Sequence, residues 1–169
     1  NAKIPIKDTM KALDFLVTRD MVRYIGVSNF SLEQMKEAQE CTQRRIVANQ
    51  IEYNLLVRDR GHITRNMRDM ESRVVPHCQE NGILVIAYSP LATGRLLRSR
   101  FKILDELGEK YGKSPAQVSI NWLISKKSVV TIPKASTVEH LKQNLGAIGW
   151  RLDTQDTHRL DTELGNTNC

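Results

Sequence analysis

Four apolar runs in this chain each end on polar side chains and lead into a segment of helical periodicity. The first is Arg23-Tyr24-Ile25-Gly26-Val27-Ser28-Asn29-Phe30-Ser31, whose β-branched and aromatic residues read as a short buried strand. Ser31 and Gln34 form a capping box, and Phe30 is placed to staple onto Met35, so the next helix starts at Ser31. The second run, from Ile46 to Asn54, becomes polar toward its end. The third, from Ile83 to Leu91, stops on Tyr88, Ser89 and a helix-incompatible Pro90, and the fourth, from Val129 to Ser136, stops on Lys134 and a serine. Helical patterns follow at residues 31–42, 63–81, 102–111 with 114–126, and 136–146. Runs apolar throughout, alternating with helices, predict a parallel sheet covered by helices, an α/β fold.

In such folds ligands sit at the carboxyl ends of the strands. Here those ends carry amide, hydroxyl, phenol and ammonium groups, so one edge of the sheet is predicted to bind a ligand. Residue by residue there is a plainer alternative: Ser28 and Asn29 as turn residues, Gln50 as a satisfied buried amide, Tyr88 as a core tyrosine and Lys134 as an exposed charge. Ser136 with Glu139 reads as another capping box, which would aim free backbone N–H groups and a positive helix end at the same edge.

The segments Tyr24-Ile-Gly-Val-Ser-Asn-Phe30, Asn49-Gln-Ile-Glu-Tyr-Asn54, Ala87-Tyr-Ser-Pro-Leu91, Ser114-Pro-Ala-Gln-Val118 and Thr131-Ile-Pro-Lys-Ala-Ser136, with Glu139-His-Leu and Asn144, resemble the aldo-keto reductases in order and spacing. The resemblance is to the NADPH-dependent, prokaryotic-type members and covers nearly the whole chain. It implies the carboxyl-terminal half of a (β/α)8 barrel: the fourth helix, strands five to eight with their helices, and a last helix near 153–164. Residues 1–169 would then be one partial domain, which the length supports, since a whole barrel takes about 250 residues.

The resemblance also implies site roles. Ser28, Asn29 and Gln50 would grip the nicotinamide carboxamide, and Tyr88 would stack on one face of the ring. Ser89, Leu91 and Thr93, with Gly94, would follow the pyrophosphate, and Arg95, Arg98 and Arg100 could add positive potential there. Lys134, Ser136 and His140 would face the 2′-phosphate, and Gln143 and Asn144 the adenine. The chain departs from the family at Ala135, where a hydroxyl is common, and at His140, where an arginine is usual. Histidine can stack but carries no fixed charge, so NADPH is favoured over NADH by Lys134 and the helix end. Gln143 replaces a usual glutamate.

The family's tyrosine, aspartate, lysine and histidine of catalysis lie in the first half, and none of their motifs occurs here, so no catalytic residue is assigned. The expectation is an NADPH-dependent reductase of small carbonyl compounds, represented by its cofactor-binding half. The alternative is a non-catalytic cofactor-sensing subunit or structural remnant of the same barrel.

With 40% hydrophobic and 26% charged residues, the chain can bury a core, and no stretch approaches the ~20 apolar residues of a membrane span. The net charge of +6 is dispersed without an aromatic-basic platform, which argues against nucleic-acid binding. Cys41, Cys78 and Cys169 show neither disulfide nor metal-ligand spacing. The opening shows no leader, and a cytoplasmic protein is expected. Met10, Leu13, Leu16 and Val17 should form the inward stripe of a first helix, and Val118, Ile120, Trp122, Leu123 and Ile124 a deeply buried one. Unpaired strand edges and an apolar inner face predict that the isolated chain self-associates.

Overall fold

The computed structural model describes residues 4–59, 61, 67–99 and 101–165. Its frame is one parallel sheet of β1 (Ile25–Ser28), β2 (Ile46–Glu52), β3 (Leu84–Tyr88) and β4 (Val129–Thr131), arranged in that order. Helix α1 (Ile6–Thr18) precedes β1, and α2 (Leu32–Glu40) joins β1 to β2. A π-helical turn at Met70–Val74 leads into α3 (Val75–Glu80) before β3. Between β3 and β4 lie α4 (Arg95–Arg98), α5 (Lys102–Tyr111) and α6 (Pro115–Ile124); α7 (Val138–Leu145) and α8 (Thr154–Gly165) follow.

The two faces of this sheet differ sharply. Pairing places Val27, Asn49, Val85 and Val129 in one row, and Ile51, Ala87 and Thr131 in the next. These rows lie under the helices, and Asn49, Ile51, Val85, Ala87 and Val129 are buried. The opposite rows are Ser28, Gln50, Ile86 and Val130, and Glu52 with Tyr88. On that open face Leu84 is 37% and Val130 42% exposed, and Ile132 just beyond β4 is 49% exposed. Uncovered apolar side chains also line α7 at Val138, Leu141 and Leu145, and the region of α1 and β1 at Phe15 and Tyr24. Gly26 permits the close approach of β1 to β2, since a Cβ there would lie 3.0 Å from the Ala48 carbonyl oxygen.

Local sequence explains most helix starts. The boxes Ser31/Gln34 and Ser114/Gln117 both form, each serine oxygen accepting from the N3 backbone and each glutamine accepting from the cap's N–H. Phe30 packs against the cluster that holds Met35. Gly112 ends α5 in a left-handed conformation, φ 62°. Val118, Ile120, Trp122 and Leu123 of α6 are buried and Ile124 is half-buried. In α1 only Met10 is fully buried; Leu13, Leu16 and Val17 are half-buried.

Several expectations are corrected. Tyr24 precedes the strand and is 72% exposed, because the neighbouring open face leaves it uncovered. Ser136 does not cap α7. Thr137 does, with extended backbone (φ −137°, ψ 158°) and its hydroxyl accepting from the His140 N–H at 3.1 Å. The helix expected over 63–81 begins only at Met70; residues 62–66 lie outside the described residues, as do Arg100 and Cys169. After β3 the chain forms a 3₁₀ turn, Ala92–Gly94, that runs into the short α4.

At the start of α8, Asp153 Oδ1 accepts from the Asp156 N–H at 2.7 Å, and Lys110 Nζ lies 2.9 Å from Asp153 and 2.6 Å from Asp156. That backbone bond first, and then the ammonium, hold the Asp153 carboxyl down at about 2, from an ordinary 3.8. As pH falls from about 4 to about 2, the unfolded chain therefore takes up a proton that the folded chain refuses, and stability declines. Asp153→Asn keeps a helix-capping oxygen but not the charge. Urea midpoints across this window should fall less steeply in the variant than in the parent, and identical slopes would remove Asp153 from the acid response.

Candidate functional site

The carboxyl edge of the sheet is organised around Asn29. This residue leaves β1 in a left-handed conformation, φ 57°, with its N–H donating to the Gln50 carbonyl at 2.8 Å. Asparagine tolerates that conformation better than most residues, so the turn and the polar side chain come together. Ser28 Oγ donates to the same Gln50 carbonyl at 3.1 Å and accepts from Asn29 Nδ2 at 3.3 Å. Tyr88, two strands away, donates its phenol to Asn29 Oδ1 at 3.3 Å. The flat ring of Tyr88 is thus tethered to the polar end of β1, across the end of β2. Gln50 shares the row of Ser28, and its side-chain amide has no hydrogen-bond partner among the described residues.

The exit of β3 is conformationally strained. Ser89 sits at φ 53° directly before Pro90, and Ala92 and Thr93 follow at φ 49° and 54°. Such values are costly outside glycine and persist where surrounding contacts impose them. One such contact is Asn54, whose Nδ2 donates to the Ser89 carbonyl at 3.0 Å while its Oδ1 accepts from the Leu56 and Val57 N–H groups. Sequence reasoning assigned Asn54 no role. The signal was its place two residues past β2, at the same edge as the exit of β3.

The remaining candidates lie on the neighbouring strand end. Ile132 N–H donates to the Ala87 carbonyl at 3.2 Å, which keeps β4 beside β3 and carries Lys134 to the same edge. Lys134 is exposed and makes no hydrogen bond or ion pair with a described residue. Ser136, His140 and Gln143 are exposed along the start and outer face of α7. Asn144 is half-buried, and its Nδ2 is a buried donor without a partner among the described residues. The structure therefore links Ser28, Asn29, Gln50 and Tyr88 directly, and sets the Lys134–Asn144 group one strand further along.

The other tyrosines have different duties. Tyr53 is buried and donates to Glu71 Oε1 at 2.6 Å; burial first, then the Glu71 charge, push its phenol up. Cys78, buried beside Met35 with Sγ 4.0 Å from Sδ, has its thiol pushed up to about 11 by burial. It should therefore resist alkylation at pH 8 in the folded protein, whereas fast labelling would place it nearer solvent.

The chain is an α/β protein whose parallel sheet carries a polar carboxyl edge, with a tethered aromatic ring and a cation that has no partner among the described residues. Comparison with known proteins narrows this. The aldo/keto reductase family profile matches residues 1–163, and the chain belongs to that family of oxidoreductases. It is 31% identical to the aldo-keto reductase family 1 member A1 of Sus scrofa over 163 residues, covering 92% of this chain and 46% of the relative. To the methylglyoxal reductase YeaE of Escherichia coli it is 31% identical, covering 92% of this chain and 52% of the relative. Among solved structures, a thermostable aldo-keto reductase in complex with the inhibitor epalrestat superposes with a TM-score of 0.83 at 36% identity, covering 95% of this chain and 56% of that one. The aldo/keto reductase from Klebsiella pneumoniae in complex with NADP and acetate gives 0.79 at 30%, covering 95% and 55%. The chain spans about half the length of the relatives it matches.

Proposed function

We propose that this edge binds NADPH in preference to NADH and that the protein carrying it reduces aldehydes or ketones to alcohols. The Tyr88–Asn29–Ser28 arrangement carries the reading. It offers a flat ring face beside mixed amide and hydroxyl groups, the set a nicotinamide ring and its carboxamide require. The residues present fit the rest of the cofactor. Lys134 is an unpaired cation for the 2′-phosphate, Ser89, Leu91 and Thr93 line the path of the pyrophosphate, and the orphaned Asn144 amide suits an adenine acceptor, beside Gln143. Thr137 rather than Ser136 caps α7, so Ser136 is left free to offer its hydroxyl near Lys134 and His140.

The bound cofactor supplies hydride. The chain's own part is to hold the ring flat, fix its orientation through the carboxamide and anchor the distant phosphate. It is the cofactor half of a (β/α)8 barrel, strands five to eight, with the proton donor supplied by the other half. The exposed apolar side chains on the open sheet face and on α7 support that arrangement, since further strands and helices would cover them.

Two outcomes follow for the isolated 169-residue chain. It should self-associate or pack loosely, giving excess light scattering or a weak near-ultraviolet circular dichroism signal at micromolar concentration. NADPH oxidation with a panel of aldehydes should stay at the no-protein rate and rise once the complementary half is joined to it. A well-ordered monomer would contradict the half-barrel reading, and robust turnover by the chain alone would show that the proton donor is already in it.

A further inference from the structure

A cleft of about 370 Å³ opens between α2 and α3, at the amino-terminal ends of β2 and β3. Ile46 begins β2 and Ile83 directly precedes β3, so the cleft lies at the end of the sheet opposite Ser28 and Tyr88. The length of β2 alone separates the two by about 20 Å at roughly 3.3 Å per residue. All its walls come from this chain, away from the uncovered sheet face. We propose that it is a second small-molecule site, for a compound with an apolar body and one carboxylate.

The floor is made by Met35, Ile46 and Ile83, each buried, and asks for an apolar body rather than a sugar or an inorganic ion. The walls are braced from behind. Gln39 Oε1 accepts from the Ile46 N–H at 3.1 Å while its Nε2 donates to the Arg44 carbonyl at 3.0 Å. Arg45 Nη2 donates to the carbonyls of Asn81 and Gly82 at 2.6 and 3.2 Å, tying the β2 entry to the α3–β3 turn. The concavity is therefore preformed, which lowers the ordering cost of binding.

Charge selects the ligand's head group. Arg45 uses only Nη2, leaving Nε and Nη1 as donors, and the Lys36 ammonium has no partner among the described residues. The Glu40 carboxylate, also at the rim, has no partner among the described residues either. His77 Nδ1 lies 3.2 Å from Asn81 Nδ2 and adds no fixed charge. Two fixed cations against one carboxylate leave an excess positive charge beside an apolar floor.

Equilibrium dialysis of the complete barrel against 4-phenylbutyrate tests this, with 4-phenylbutan-1-ol as the uncharged counterpart. Saturable one-to-one binding is expected, with the alcohol weaker by about tenfold or more. Lys36→Glu should weaken phenylbutyrate binding about tenfold and leave NADPH binding unchanged, and Glu40→Gln should tighten it a few-fold. Saturating NADPH should not displace the acid. No saturable binding below about 5 mM, equal affinity for the alcohol, an unaffected Lys36→Glu variant, or displacement by NADPH would each overturn the proposal.

Discussion

Replacing Lys134 by alanine is expected to weaken NADPH binding roughly ten- to a hundredfold and NADH binding little. The side chain stands at the β4 end, exposed and unpaired, so nothing else in the described structure competes for its charge. Loss of one charge-assisted contact at a site that the cofactor itself desolvates costs on the order of 1.5–3 kcal/mol. His140→Arg should tighten NADPH selectively, because it adds a fixed fork of donors three residues past the Thr137 cap of α7. Cofactor-fluorescence titrations of the complete barrel measure both. Equal losses for the two cofactors in Lys134→Ala would move this lysine to the pyrophosphate or to a structural role.

Removing Glu71 should produce the largest loss of stability from a single polar side chain. Its Oε1 accepts from Tyr53 at 2.6 Å and lies 3.5 Å from Lys126 Nζ, and its Oε2 pairs with Arg58 Nε. Arg58 also donates to the Asp161 carbonyl at 2.7 Å, and Trp122 Nε1 donates to Asp161 Oδ1 at 2.9 Å. Lys126 lies over the Trp122 ring, 4.1 Å from its centroid. The cluster ties the segment after β2 to α6 and α8. Glu71→Ala would leave a buried phenol without its acceptor and half-buried Lys126 without its described counter-ion, while Arg58 would keep only the Asp161 carboxylate, 3.4 Å away. The expected cost is about 2–4 kcal/mol, below the fully buried case because the side chains retain some solvent. Urea unfolding measures it, and a loss under about 0.5 kcal/mol would mean the pairs are as weak as ordinary surface ones.

The parts of this fold that were legible from sequence are those fixed by neighbours along the chain. The runs around Ile46, Ile83 and Val129 announced strands, and the Ser31/Gln34 and Ser114/Gln117 boxes announced helix starts, because each cap is closed within four residues. Ser136/Glu139 had the same form, yet Thr137 beside it won. Two adjacent hydroxyls compete for one cap, and only the extended backbone at Thr137 decides between them. The late start at Met70 has a longer-range cause. The Asp69 N–H donates to the Asp59 carbonyl at 2.8 Å, and the Ser72 N–H to Asp59 Oδ1 at 2.8 Å, so this segment is bound to the loop after β2 before it becomes helical. Residues in the Glu71 cluster come from positions 53 to 161, and no local spacing reveals them. Of the site, the strand-end residues were legible individually; the tether from Tyr88 to Asn29 was not, because it spans two strands.

The most direct test of the cofactor site is a crystal structure of the complete barrel with NADP⁺. The account predicts the nicotinamide ring in van der Waals contact with Tyr88, its carboxamide hydrogen-bonded to the Ser28, Asn29 and Gln50 group, and the adenosine end beside Lys134 and α7. A cofactor bound in the reverse direction, or at another face of the protein, would contradict it.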